Sequence, residues 1–240
     1  MASLIQACIN GSRTVDEHPG IPVSIEQIAA DTQSVVAAGA GSIHIHPRDA
    51  YGRESIEPEV VAQTLLAIRR HSPDVPVGIT TGAWITEPSR RPGVVASWVV
   101  HPDFASVNVS EDGSIELAWL LNELGIGLEI GVMTPQDAQL LLESGLVSVC
   151  LRVLVEIDHQ PDPALVLTEV AAIESILGDL PVRQLHHGTG IATWKILQRA
   201  LKRGHDIRIG FEDTLTLPNG ETARSNTELV EIARDLAERA

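Results

Sequence analysis

Two hydrophobic periods alternate along the whole of this 240-residue chain, and few folds accept that alternation. Short runs rich in Val, Ile and Leu read as strands at 3–10, 42–46, 75–82, 104–110, 127–132, 148–156, 181–187 and 206–213. Between them, apolar residues recur three and four apart, the spacing of one helix face. That spacing predicts helices over 24–40, 114–125, 135–145, 162–179, 193–204 and 226–240. Another is predicted over 88–99, where Pro92 and Gly93 interrupt the pattern. Ser24 as an N-cap, Pro135 in a first turn and Gly125 past a last turn mark the boundaries. No linker, low-complexity tract or charge block divides the chain. Eight strands alternating with helical segments predict a (β/α)8 (TIM) barrel of the α/β class, one domain over 1–240.

Composition narrows the partners. The formal net charge is -15, so the clustered Lys and Arg that neutralise nucleic-acid or anionic-membrane phosphates are missing. Small molecules are the expected partners, with no nucleic acid and no membrane. Cys8 and Cys150 each lie inside an apolar run, which fits two buried thiols in a reducing compartment rather than a disulfide. No signal peptide opens the sequence and no apolar run is long enough for a bilayer span, so the expected location is the cytoplasm.

Chemistry in such barrels gathers at the C-terminal ends of the strands. Those ends carry Asn10 and Arg13, then His44, His46, Arg48 and Asp49, then Thr80 and Thr81. Ser110, Glu111, Glu129, Glu156, His186, His187, Arg208, Glu212 and Asp213 follow. Within "SIHIHPRD", His44 and His46 are two residues apart on an extended run, so they share one face while Ile43 and Ile45 share the other. Two imidazoles at a strand mouth are a metal pair, and catalytic zinc takes three N or O ligands with one position left open. In "RIGFED", Arg208, Gly210 and Glu212 share a parity, which points Glu212 inward as the third ligand. Asp213 then sits past the strand, free to act as a base. Zinc is the expected ion, and Ni, Co or Mn suit the same donors.

Other residues carry weaker signals. His186 and His187 precede "GTG", which fits either a ligand-phosphate contact or a structural turn. Arg90 and Arg91 read as solvated, with contact to an anionic cofactor as the alternative. Trp98, Trp119 and Trp194 read as packing, and Trp84, just past strand 3, is the one placed to line a pocket.

"GAGSIHIHPRD", "TTGA", "HGTGIATWKIL" and "DIRIGFEDTLTLPNGETARSNTELV" together resemble the β-keto acid cleavage enzyme family, from the first strand to the last helix and in order. The resemblance implies a zinc-dependent barrel that condenses a β-keto acid with acetyl-CoA, giving acetoacetate and a new CoA thioester. It implies His44, His46 and Glu212 as zinc ligands, Asp213 as base and Arg208 as its assistant. Thr80 would hold the carboxylate end of the substrate, and Arg13, Thr81, Gly82, Ser110 and Glu111 would complete the substrate pocket. A homo-oligomer is expected.

Two departures from the family pattern stand out. The chain is shorter than most members, so rim loops are trimmed. Members acting on an amino-substituted keto acid carry a glutamate in the strand 1 loop, where this chain has Arg13, and Glu111 stands where a neutral hydroxyl residue would align. An anionic or polar substrate tail is therefore favoured over a neutral one, with Glu111 a candidate partner for Arg13. Two other readings fit parts of the pattern: a metal-dependent hydrolase, and a zinc-stabilised barrel that binds a ligand without catalysis. Strands 5 and 6 carry no strand-end His, which weighs against the hydrolase.

Overall fold

A computed structural model describes residues 3–158, 162 and 164–240 of the chain. The strands are β1 (Ile5–Cys8), β2 (Ser42–Ile45), β3 (Val77–Thr80), β4 (Phe104–Asn108), β5 (Gly127–Val132), β6 (Arg152–Ile157), β7 (Arg183–Gly188) and β8 (Asp206–Ile209). They close in sequence order into an all-parallel barrel, β8 pairing with β1. The intervening helices are α1 (Ile25–Ala38), α2 (Pro58–His71), α3 (Arg91–Ala96), α4 (Ser114–Glu123), α5 (Pro135–Ser144), α6 (Val166–Leu177), α7 (Thr193–Lys202) and α8 (Asn226–Glu238). The predicted barrel is the observed one. No helix among the described residues is long and apolar enough to cross a membrane.

The strand period explains the two layers. Ile43, Ile45, Val77, Ile79, Ile207 and Ile209 are fully buried in the apolar core cluster, where the strands meet the helices. Residues of the other parity fill the barrel. Glu129 on β5 accepts from Gln6 on β1 at 2.8 Å and from Arg152 on β6 at 2.6 Å. Since β1 and β5 lie on opposite sides of the closed sheet, those bonds cross its interior. Phe104 packs beside them, with the Arg152 guanidinium 4.6 Å from its ring centre. This polar layer plugs the lower barrel and leaves the C-terminal mouth open for chemistry.

Helix boundaries follow capping chemistry. Ser24 and Gln27 form a capping box on α1, and Gly39 ends it in the left-handed region. Thr134 and Asp137 do the same for α5, with Pro135 in its first turn. The sequence pattern set no bounds for α2. The 88–99 helix shrinks to the six residues of α3, since Pro92 and Gly93 sit within it. Pro163, inside the predicted 162–179 helix, lies outside the described residues.

The predicted strands overshoot, most consequentially at β8. Gly210 passes so close to β1 that a Cβ on it would stand 1.9 Å from the Cys8 carbonyl oxygen. The chain then turns: Asp213 and Thr214 both donate their amides to the Gly210 carbonyl, at 2.9 and 3.0 Å. Glu212 and Asp213 are therefore turn residues, not the continuation of a strand.

Candidate active site

His44 lies in β2 and His46 one residue beyond it. Asn10, just past β1, pins His46 by its backbone, accepting from its amide and donating to its carbonyl, each at 2.9 Å. Glu212 arrives from the turn after β8. Its Oε2 is 3.8 Å from His44 Nε2 and its Oε1 is 3.4 Å from His46 Nε2. Gly11 makes room for this: its φ is +56°, and a Cβ there would fall 2.4 Å from Glu212 Cγ. The strand parity used to aim Glu212 does not apply beyond Ile209, yet the turn delivers the side chain to the same place.

Ligand atoms of His44, His46 and Glu212 all lie within 4.8 Å of one another. Glu212 Oε2 is buried without a hydrogen-bond partner. Burial pushes the His44 imidazole down to about 4, only partly opposed by Glu212, so it is neutral at physiological pH. Burial would raise the Glu212 carboxyl, but Arg208 and the two imidazoles hold it well below the usual range. Two imidazole nitrogens and an ionised carboxylate with a spare oxygen fit a divalent transition-metal ion.

Behind Glu212 lies a buried row of charges. Arg208 donates to Glu212 Oε1 at 2.5 Å and to Asp213 Oδ1 at 3.3 Å. Asp213 is fully buried and also bonds the Cys8 thiol at 2.9 Å and His187 Nδ1 at 3.1 Å. The other nitrogen of His187 is 3.0 Å from Glu156. Burial and Arg208 oppose a charge on His187, but the two flanking carboxylates raise it to about 9, making it an imidazolium. His187 thus lies within a strand and not in a turn. It cross-links two carboxylates, and only the strand parity of β7 in the "HH" doublet could have announced its inward aim. His186, of opposite parity, stacks on His205 at 4.4 Å outside the barrel, near Glu174.

A cavity of about 340 Å³ opens above these groups. Of the predicted site residues, Arg13, His44, His46, Thr80, Gly82, Glu111, Arg208 and Glu212 line it, whereas Thr81, Ser110 and Asp213 do not. Thr81 is buried and donates to the Ser106 carbonyl at 2.7 Å. Ser110 is exposed in the turn after β4. Glu111 pairs with Arg91 rather than Arg13, and also accepts from the Ala83 amide and Asn108, both at 3.1 Å. Arg91, read from sequence as solvated, is only 1% exposed, because α3 begins with that side chain turned in to tie the loops after β3 and β4. Arg13 pairs instead with Glu17 at 2.8 Å.

Trp84 does line the cavity, its ring lying against Gly82, where a Cβ would be 2.3 Å away. Its indole nitrogen donates to both carboxylate oxygens of Glu54, at 3.2 and 3.3 Å. Glu54 in turn stands 2.5 Å from His46 Nδ1. Nothing in the hydrophobic periodicity marks Glu54, because a hairpin brings it back over the site.

A 3-keto-5-aminohexanoate cleavage enzyme from Fusobacterium nucleatum is 26% identical over 253 residues, covering 95% of this chain and 88% of that protein. One from Acetoanaerobium sticklandii is 24% identical over a similar span. A 3-oxoadipate:acetyl-CoA acetyltransferase from Cupriavidus necator is 30% identical over 105 residues, 43% of this chain and 36% of the relative. Among solved structures, ObcA in a ternary complex with a C4-CoA adduct and oxalate superposes with a TM-score of 0.74 at 17% identity. That match covers 92% of this chain, which spans 64% of the ObcA chain; it is a likeness of fold. The family description of beta-keto acid cleavage enzymes matches residues 3–240. With the barrel, the His–His–Glu cluster and the buried acid row in place over that same span, the chain belongs to the β-keto acid cleavage enzyme family.

Proposed function

We propose that this protein is a zinc-dependent enzyme that condenses a β-keto acid with acetyl-CoA, yielding acetoacetate and the CoA thioester of the remaining acyl group. The observation that carries the reading is the His44–His46–Glu212 cluster, with one carboxylate oxygen unpartnered, on the wall of a cavity backed by Arg208 and Asp213. The name of the Cupriavidus relative supports acetyl-CoA as the cosubstrate.

A zinc ion held by His44, His46 and Glu212 would supply Lewis-acid polarisation to the keto and carboxylate oxygens of the substrate. Thr80, on the cavity wall, holds the substrate's carboxylate end. Asp213 takes a proton from the carbon between the two carbonyls. Its carboxyl is ionised and ready to accept one, since Arg208 and His187 outweigh burial and hold it below the usual carboxylate range. Because Asp213 lies behind the cavity wall, the reading requires its carboxylate to turn past Arg208 when substrate is bound. The deprotonated carbon attacks the acetyl-CoA thioester and expels CoA thiolate. The thiolate attacks the original keto carbon, the bond between that carbon and the former α-carbon breaks, and Asp213 returns its proton to the departing acetoacetate carbon.

The test incubates purified, zinc-loaded protein with acetyl-CoA and a panel of β-keto acids of anionic, polar, neutral and cationic tails. Acetoacetate should appear together with a new acyl-CoA in equal amounts for at least one of them. CoA release without acetoacetate, or no reaction across the panel, would refute the proposal. His46→Ala should lose the single tightly bound equivalent of zinc, measured by elemental analysis.

A further inference from the structure

The hairpin after β2 does work that the metal ligands cannot do for themselves. Arg48 and Asp49 of the "HPRD" stretch do not reach the cavity. Asp49 accepts from the amides of Tyr51 and Arg53, at 2.8 and 3.0 Å, and from the Arg53 guanidinium at 2.8 Å. Arg48 donates to the carbonyls of Gly11, Arg13 and Gly52, and so ties the hairpin to the β1 loop. Gly52 makes the reversal with a φ of +75°. An antiparallel bridge then sets Glu54 against Arg48, eight residues beyond His46 in sequence and in contact with it in space.

We propose that Glu54 is the positioning residue of the metal centre, holding His46 in the one tautomer and orientation that present Nε2 to the ion. The inference rests on the metal reading above. Glu54 Oε1 lies 2.5 Å from His46 Nδ1, so an ionised carboxylate accepts that N–H and the lone pair stays on Nε2, the nitrogen facing Glu212 at 3.4 Å. A carboxylate acceptor also raises the donor strength of the imidazole, the usual reason metal-bound histidines carry one. Trp84 fixes the carboxylate in turn, donating to both of its oxygens and stacking on His46 at 6.4 Å and 30°. The other imidazole has no such support: His44 Nδ1 is buried with no hydrogen-bond partner. Of the two imidazoles, His46 is therefore the one whose orientation a carboxylate holds.

The experiment strips the full-length protein of metal and measures Zn²⁺ affinity by competition with a chromogenic chelator. Visible absorption of the Co²⁺-loaded form is recorded alongside. Glu54→Gln should still bind one equivalent, about 10- to 100-fold more weakly than wild type, the range set by loss of such an outer carboxylate. Its cobalt bands should shift while the metal-free protein melts as wild type does, a combination that a merely structural role would not produce. Glu54→Asp, which keeps the carboxylate on a shorter arm, should fall between the two and serves as the second variant should Gln disturb folding. Wild-type affinity with an unchanged cobalt spectrum in both variants would overturn the proposal alone. A wild-type protein that takes up no metal would overturn the metal reading and this proposal with it.

Discussion

Asp213 shows how a single position divides the catalytic reading from a structural one. It is fully buried among Cys8, His187 and Arg208, so its loss must also be felt by its neighbours. Asp213→Asn should retain zinc and reduce turnover about 100-fold or more, the scale of a general base. A structural Asp would instead lower the melting temperature with activity per folded molecule intact. Arg13 supports a different test. Its pairing with Glu17 leaves the mouth nearly neutral there, and Glu111 is committed to Arg91. Arg13→Glu would set two acids four residues apart, so activity on an anionic keto acid should fall by about tenfold or more, equal to about 1.4 kcal/mol. A cationic one should gain. An unchanged substrate ranking would remove Arg13 from specificity. Which residues are legible in the sequence follows the same lines: His44 and His46 announce themselves by parity, whereas the burial of Arg91 is hidden because exposure is a property of the packed loop.

At the scale of elements, alternation carried the barrel, because parallel strands buried on both faces read as apolar runs and the helices between them as periodic ones. Where periodicity failed, a backbone contact invisible to it was responsible. "RIGFED" continues the strand pattern of β8, but Gly210 meets the Cys8 carbonyl and the chain turns. Glu54 escapes notice for a related reason, since its place depends on the hairpin at Gly52 and not on its own neighbours in sequence. Gly210→Ala tests the first point. The new methyl would press on backbone rather than on a pliable side chain, so stability should fall by about 1–3 kcal/mol or more in urea unfolding. The turn carrying Glu212 would shift with it, and zinc affinity should drop in the same variant. Wild-type stability would show that β8 ends for another reason.

A closed barrel must also join its first and last units, and beside the β1–β8 ladder one side-chain amide reinforces the seam. Asn226, at the start of α8, donates to the Ile9 carbonyl at 2.8 Å and to Asp31 of α1 at 2.6 Å, and accepts from the Phe211 amide at 2.6 Å. It thereby links the ends of β1 and β8 to both flanking helices. The acid in this junction is strained electrostatically: burial raises Asp31 from 3.8 to about 6, and the bond from Asn226 offsets only part of that. A carboxyl whose folded pKa lies above its unfolded value favours folding while protonated. That advantage is present below pH 4 and is lost as pH rises through 6. That difference corresponds to about 3 kcal/mol. Asp31→Asn keeps an oxygen for Asn226 and cannot ionise, so its stability relative to wild type should rise between pH 4 and pH 6 and level off above. Urea unfolding of both proteins at pH 4, 5, 6 and 7 measures the difference directly, cancelling the other titrating groups. A difference that stays constant across that window would mean Asp31 is ionised in the folded molecule at ordinary acidity, and the seam would then hold a charge that burial does not penalise.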